Sequence, residues 1–329
     1  MAIKIRNAVL HILHNNGPSS VFSDRELDYD SESCFAFIAK HVKKLINNAS
    51  VRTGVFKPDS VMYQLLERYK AREIHFQETA LTIAERLDEF MQAERSIPPC
   101  DILITKVGQK SGEFLAVLLL HYHDVYTHKT IGSENVLQTL KALPFSSGKV
   151  EYAALFDLDG AGIGVNLIEK PIVINGTNTM FFSEMFLECD TNPSRKETAV
   201  LINEVTSEFV DEFFRGDPKV NVKIKTALVG ESESEDGYVS MDNVASAAFS
   251  DHEDAKVKYV NTLRDAGLQE DVVLGQNVVK QQFSTHKIKA ENGVEIRFPA
   301  ELADSEEGVE ITTHPDGTVS VLLKNLRMV

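Results

Sequence analysis

The chain has 329 residues, 43% of them hydrophobic and 25% charged, a balance that supports a packed core and excludes a wholly disordered protein. Its formal net charge of −15 repels polyanions at long range, so nucleic acid can be bound only through a local basic surface or through another protein. The three cysteines are far apart, and the longest apolar run, FLAVLLL, is too short to span a membrane. Since the N-terminus also lacks the pattern of a signal peptide, these features predict a cytoplasmic protein without a membrane partner.

The first half of the chain predicts strands around two helical segments. Residues 3–14 are rich in β-branched and apolar side chains, which indicates a first strand. Residues 31–48 and 60–95 repeat apolar residues at the helical period. The segments CDILITKV (100–107) and EFLAVLLLHYHDV (113–125) are joined by GQKSG, a connection typical of a hairpin. The nearly continuous apolar run in the second strand predicts that both of its faces are covered.

The second half predicts more strands, a long helix and a closing β-region. The segments EYAALFDL (151–158) and VNLIEKPIVI (165–174) have the composition of strands. Residues 191–216 predict a helix that ends at a Gly-Asp-Pro sequence. Residues 231–255 carry eight acids and no Lys or Arg, and their ESESEDG portion (231–237) indicates a solvated acidic loop. Near the end, Asp316-Gly317 lies between two alternating runs and predicts a hairpin.

Together these elements predict an α+β fold. An N-terminal domain, residues 1–190, is expected to hold a mixed sheet of hairpins flanked by the helices at 31–48 and 60–95. A C-terminal region, residues 191–329, is expected to hold helices and a small antiparallel sheet that closes the chain.

The segment HYHD (121–124) raises the possibility of a metal site. If the strand continues through it, His121 and His123 lie on one face and Asp124 on the other, and His128 could add a ligand after a bend. A catalytic zinc site needs at least three protein ligands, and the sequence contains no HExxH or CxxC motif to supply them. A strand end that carries histidines is the simpler interpretation, so no bound metal is predicted.

Other catalytic chemistry finds little support in the sequence. The glycine-rich DLDGAGIGVNL (157–167) is followed by a predicted strand, whereas a phosphate-binding turn needs a helix directly behind it. No serine stands in a GxSxG sequence, and no cysteine has a neighbouring base that would activate it. The sequence therefore predicts neither catalytic residues nor a cofactor.

Basic residues are the remaining candidates for a binding site. Arg195 and Lys196 open the long predicted helix, where the helix dipole adds positive potential. Lys219, Lys223 and Lys225 follow its other end, and the last two point the same way if the sequence VKIKT is extended. Locally placed cations of this kind can contact phosphates. Acids are interleaved with them, so a solvated surface is the other interpretation.

Four stretches carry a likeness to a known family. They are the opening strand IRNAVLHIL, the helical FQETALTIAERL running into FLAVLLL, the segment MFLECDTNPSRKETAVLINEVTSEFVDEFF, and the closing hairpin VEITTHPDGTVSVLLKNL. In this order they resemble the bacterial nucleoid-associated protein family of the NdpA type. The resemblance implies a protein associated with the nucleoid and with DNA, and not a known enzyme. The residues of this chain that match the family's pattern are Arg195, Lys196, Phe209, Phe213 and Phe214. The histidines of HYHD are not required by that pattern.

Three functional hypotheses follow. The first is a non-catalytic nucleoid-associated protein that contacts DNA phosphates weakly and with low sequence specificity, through Arg195 and Lys196 and, more weakly, through the three lysines beyond the helix. A homodimer would double such contacts. The second is an acidic adaptor whose segments 231–255 and 299–310 dock onto DNA-handling enzymes such as topoisomerases or nucleases, which accounts better for the net charge. The third is an enzyme that holds a metal with the histidines of HYHD.

Overall fold

The computed structural model describes residues 3–145, 148–233, 237–250, 252–290, 293–303, 308–314, 316 and 318–325. The chain forms two compact units, residues 1–192 and 193–329. That each unit is an independent domain, as the boundary predicted at 190/191 implies, remains a prediction.

The first unit is a large sheet with helices on its faces. Its strands are β1 (Lys4–Leu13), β2 (Arg52–Phe56), β3 (Cys100–Gln109), β4 (Gly112–His121), β5 (His123–Ile131), β6 (Glu134–Ala142), β7 (Tyr152–Asp157), β8 (Gly164–Ile168), β9 (Ile172–Ile174), β10 (Thr177–Thr179) and β11 (Cys189–Thr191). Its helices are α1 (Glu32–Asn47), α2 (Val61–Lys70), α3 (Phe76–Ala93) and a π-helix at Phe182–Leu187.

Seven of these strands form one sheet in the order β1-β3-β4-β7-β8-β2-β11. Every described pairing in it is antiparallel. The predicted α+β class is confirmed, but the expectation that the sheet would be mixed was wrong. Hairpins join the neighbours β3–β4 and β7–β8, whereas a parallel pair needs a long crossover connection.

The central strands β3 and β4 are covered on both faces, as their apolar sequence predicts. The pair Ile104 and Val117 lies on one face, in a buried cluster with Ile83 of α3. Leu118 lies on the other face, in a second buried cluster with Val42 of α1. The sheet is therefore the middle layer of the first unit.

The helical segment predicted over 60–95 is divided into α2 and α3. Arg72 lies between them with a φ of 63°, a left-handed conformation that a helix cannot continue through. No glycine or proline marks this position, so the apolar period carries on in the sequence across the break. The strand predicted over 165–174 is likewise two strands, β8 and β9.

The strand predicted over 113–125 ends at His121. This residue pairs with Cys100, where β3 begins, so β4 has no further partner in β3. The chain leaves the sheet at Tyr122, whose hydroxyl donates a hydrogen bond to Asp101. The strands β5 and β6 then form a separate two-stranded ribbon.

The second unit combines five helices of the described chain with small hairpins. The helices are α4 (Arg195–Phe214), α5 (Pro218–Glu231), α6 (Met241–Ala248), α7 (Glu253–Asp265) and α8 (Gln276–Phe283), with a 3-10 turn at Ala300–Leu302. The strands are β12 (Tyr238–Ser240), β13 (Asp271–Val273), β14 (Thr285–Lys289), β15 (Glu295–Pro299), β16 (Val309–Thr313) and β17 (Val319–Leu323). They form three two-stranded sheets, in which β12 pairs with β13, β14 with β15, and β16 with β17.

Aromatic side chains fix α4 in this unit. The ring of Phe209 lies 5.1 Å from Tyr259 of α7 and 5.9 Å from Phe249. The Tyr259 hydroxyl is 2.8 Å from the Thr206 hydroxyl, which satisfies the only polar atom of that buried side chain. Tertiary packing therefore sets the orientation of α4, the helix that carries two of the predicted site residues.

The loop predicted for ESESEDG (231–237) follows α5, which ends at Glu231. Met241–Ala248 forms α6, which buries Val244 and Ala245, because apolar residues recur there at the helical period. Residues 234–236 and 251 lie outside the described residues. The closing hairpin predicted around Asp316 is confirmed by the pairing of β16 with β17.

Candidate nucleic-acid interface

Arg195 and Lys196 occupy the first turn of α4, as predicted. The helix begins at Ser194, whose hydroxyl accepts a hydrogen bond from the Glu197 N–H at 3.3 Å. The Glu197 carboxylate accepts from the Ser194 N–H at 2.8 Å. This reciprocal pair is a capping box. It fixes where the helix starts and thereby where the two cations are presented.

The Arg195 guanidinium lies against the start of a second helix. A Cβ on Gly275 would be 3.0 Å from Arg195 Nη1, so a side chain here would force the guanidinium to shift. Gly275 is the N-cap of α8, has a φ of 77° and has no side chain to accept from the first-turn N–H groups. Arg195 thus lies where the positive ends of α4 and α8 meet, an arrangement that suits an anionic group such as a phosphate.

The two cations differ in exposure. Lys196 is exposed, whereas Arg195 is half-buried. A half-buried guanidinium is held in place and loses less side-chain entropy when it binds an anion. Lys196 supplies a mobile charge beside it. The carboxylate of Glu197 offsets part of the helix dipole at this end, so most of the attraction for an anion comes from the side chains and from the N-terminus of α8.

Lys219, Lys223 and Lys225 lie on α5, so the expectation of an extended VKIKT segment was wrong. Asp217 caps this helix by accepting from the Lys219 N–H at 2.9 Å, and Pro218 occupies its first turn, a position proline favours. Successive helical residues are rotated by about 100°, so Lys223 and Lys225 point to different sides. Lys219 and Lys223 are one turn apart and share a side.

Lys225 faces a groove instead of open solvent. The groove, of about 1010 Å³, lies between α5 and the hairpins β14–β15 and β16–β17. Burial lowers the pKa of Lys225. Burial, and then the nearby Lys225 ammonium, lower the pKa of His286 to about 4. Lys225 therefore belongs to an enclosed cluster, while Lys223 is exposed and can reach a phosphate.

The five predicted residues do not form one continuous patch. The twenty residues of α4 make a helix of about 30 Å, with Arg195 and Lys196 at its start and the lysines of α5 beyond its end. Both groups belong to the second unit. The surface between them on α4 carries the acids Glu204, Glu208, Asp211 and Glu212. The basic sites are therefore two local positions on an acidic surface.

The aromatic residues that the family resemblance carried over have separate roles. Phe209 is buried, and Phe214 stacks on Phe249 at 5.7 Å, so these two hold the fold. Phe213 is 41% exposed, and its ring lies 5.0 Å from the Lys258 ammonium. None of the three needs DNA to explain its position.

The histidines of HYHD separate onto two strands. His121 ends β4, and its Nδ1 is 3.3 Å from the Pro99 carbonyl oxygen. Burial lowers its pKa. His123 begins β5 and packs against the ring of Phe145 at 5.5 Å. Within the residues that the structure describes, no three His, Cys, Asp or Glu side chains come together as metal ligands would. The geometry gives the metal hypothesis no support.

The sequence interpretation missed the ribbon of β5 and β6. Its signal was present, because the segment VYTHKTI (125–131) is rich in β-branched and aromatic residues and Gly132-Ser133 is a two-residue turn sequence typical of hairpins. Gly132 has a φ of 63°, as such a turn requires. The apolar run of β4 obscured the point at which the new strand begins.

The chain belongs to a family of nucleoid-associated proteins. The family model for the nucleoid-associated protein YejK matches residues 9–328, nearly the whole chain, and confirms the predicted resemblance. No curated protein matches the sequence. No described helix is both long and apolar enough to cross a bilayer.

Proposed function

We propose that this nucleoid-associated protein binds DNA directly and without catalysis, through phosphate contacts made by the second unit. The observation that supports this most is the position of Arg195, whose guanidinium lies at the N-terminus of α4 and against the N-cap of α8. Lys196 adds to this site, and Lys219 and Lys223 form a second, weaker one. Lys225 contributes little, because it faces the groove.

The chemistry of these groups predicts low sequence specificity. Contacts to phosphates position a protein on the duplex but read no bases. Each phosphate neutralised releases counterions, so affinity falls steeply with salt. The net charge of −15 adds long-range repulsion, which weakens binding further at low ionic strength, where screening is least. Binding is therefore weak and confined to the local basic positions.

A titration of the purified protein on labelled duplexes of unrelated sequence tests this proposal. We expect binding at low salt, similar affinities for all duplexes, and a steep loss at moderate salt. The duplexes should remain intact during incubation with Mg²⁺. A lack of binding at low salt would rule out direct contact, and cleavage of the DNA would rule out the non-catalytic role.

A second candidate function is that of an acidic adaptor that docks onto the basic surfaces of DNA-handling enzymes. The eight acids among residues 231–255, with no Lys or Arg, favour it. Capture of partners from a lysate after nuclease treatment tests it. Retention of such enzymes without DNA supports the adaptor, and loss of every partner with the DNA counts against it.

The location of the protein is also part of the proposal. Membership of the family supports a nucleoid-associated role, and we place the protein in the cytoplasm on the nucleoid. A fluorescent fusion should follow a DNA stain in cells. A uniform distribution that ignores the stain would contradict this.

A further inference from the structure

The ribbon formed by β5 and β6 (residues 123–142) exposes large apolar side chains along its length. Within the described chain its two strands pair only with each other. Tyr126 is 78% exposed and Leu137 72% exposed. Three further exposed apolar residues are Ile131, Val136 and Leu140. An isolated two-stranded hairpin is marginally stable in water. We therefore expect a ribbon with this many exposed apolar side chains to pack against another surface.

The register of the ribbon shows how these side chains are distributed. Val125 pairs with Leu140, and Val136 lies further along the same face. Tyr126 and Leu137 lie on the opposite face, on diagonally adjacent pairs. Both faces therefore expose large apolar side chains among their polar residues. This distinguishes the ribbon from an ordinary hairpin, in which one face is polar and solvated.

The charge of the ribbon indicates what covers it. Its four charged residues cancel, since Asp124 and Glu134 balance Lys129 and Lys141, and Asp124 is ion-paired with Lys141 at 2.6 Å. The ribbon therefore has no excess of cations over acids with which to attract DNA phosphates. Two copies of a chain of net charge −15 repel each other, and a neutral apolar ribbon is a surface on which they can meet with little repulsion.

The ribbon also has a geometry that suits a symmetric pair. Among the residues that the structure describes, no other strand pairs with the outer edges of the ribbon, and such edges are a template for another strand. A two-fold axis places the same edge and the same face of two copies together. At roughly 100 Å² of apolar area for each large side chain, the face that carries Ile131, Val136 and Leu140 supplies about 600 Å² in two copies, and backbone pairing along the edge adds to this interface.

We propose that residues 123–142 are a dimerisation arm that binds the same arm of a second copy of this chain. The arm lies in the first unit, and the basic residues of the DNA proposal lie in the second. The inference is therefore independent of DNA binding. The arm would then be the surface through which two chains form the predicted homodimer.

Sedimentation equilibrium of the full chain tests the arm. We expect the wild-type protein to have twice the chain mass of 36.6 kDa. The variant Leu137→Glu/Leu140→Glu places a charge on each face of the arm, and we expect its dimer to dissociate at least tenfold more readily. The control Val257→Glu/Leu322→Glu adds the same charge at two exposed positions of the second unit and should stay as dimeric as the wild type.

Two results would overturn the proposal. A wild-type protein that remains at 36.6 kDa at tens of micromolar would overturn it, as would an arm variant that dimerises as tightly as the control. Circular dichroism of the arm variant should match that of the wild type, because the two leucines are exposed. A loss of folded signal would show that the ribbon is needed within one copy and would also overturn the proposal.

Discussion

Arg195 and Gly275 are in close contact: the position that a Cβ on Gly275 would occupy is 3.0 Å from Arg195 Nη1. The contact brings a guanidinium to the N-cap of α8 while the same residue opens α4. Two positive helix ends and one cation thus share a small region of the surface.

Gly275→Ala should weaken DNA binding as well as the fold. The new methyl group displaces the guanidinium, and the φ of 77° is unfavourable for alanine by about 1 kcal/mol. Gly267→Ala is the matched control, since it has a φ of 85° but nothing within 4 Å of its Cβ position. Urea unfolding should show similar losses for both, and a DNA titration a loss only for Gly275→Ala. If Gly275→Ala and Gly267→Ala bound DNA with equal affinity, the position of the Arg195 guanidinium would not matter for DNA binding.

Ser194→Ala should destabilise the second unit by about 1 kcal/mol. The change removes the hydroxyl that accepts from the Glu197 N–H and so breaks the capping box. Ser207→Ala, in the middle of the same helix, removes a hydroxyl that donates to the Asn203 carbonyl and should alter the free energy of unfolding by less than about 0.5 kcal/mol. Chemical denaturation of both variants checks this. If Ser207→Ala were the more damaging change, the cap would not be what holds the start of α4.

Lys225→Met should make the second unit more stable, by about 1 kcal/mol. Burial lowers the pKa of Lys225, which means that its charged form is less favourable in the folded state than in the unfolded chain. Methionine keeps the length and removes the charge. Lys223→Met, at an exposed position, should leave stability nearly unchanged and reduce DNA affinity instead. If Lys225→Met unfolds at a lower urea concentration than Lys223→Met, the charge of Lys225 does not destabilise the folded state.

His286 should make the second unit sensitive to acid. Its pKa is lowered from 6.5 to about 4 in the folded state, so the unfolded chain takes up a proton first as the pH falls. The stability it contributes is present above pH 6.5 and is lost progressively toward pH 4. Burial also lowers the pKa of His11, His41 and His121 in the first unit.

The difference between the wild type and His286→Leu therefore isolates the effect of His286. Thermal unfolding from pH 7 to pH 4 should show a gentler loss of stability for the variant, by about 2 kcal/mol at the acid end. Parallel curves for the two proteins would mean that the pKa of His286 does not differ between the folded and unfolded states.

Much of the second unit could be predicted from its sequence. The helix at 191–216 has a Ser cap and a terminal glycine, and the closing hairpins alternate in polarity, so local signals and tertiary packing agree. At Lys223 and Lys225, however, the sequence pattern predicts the wrong secondary structure. Their alternation with apolar residues suggests a strand, but Asp217 and Pro218 start a helix and the buried Val222, Ile224 and Leu228 hold it, because packing overrides a short pattern.

The residues of the candidate site could be named in advance, but their arrangement could not. Arg195 was found from its place at a helix start. Its contact with Gly275, eighty positions later, depends on how α4 and α8 pack, and no spacing in the sequence reports that. The separation of the histidines had the same cause. His121 and His123 are two residues apart, yet β4 ends between them because its partner β3 begins at Cys100.

The most direct test of the central claim is the salt dependence of DNA binding. Arg195→Gln/Lys196→Gln removes both cations of the main site, and Lys40→Gln/Lys43→Gln removes two exposed cations from α1 with the same change in net charge. We expect the slope of log affinity against log salt to fall by about 2 for the first variant and to stay at the wild-type value for the second. Equal slopes for the two variants would show that binding follows net charge alone and would contradict a phosphate site at Arg195.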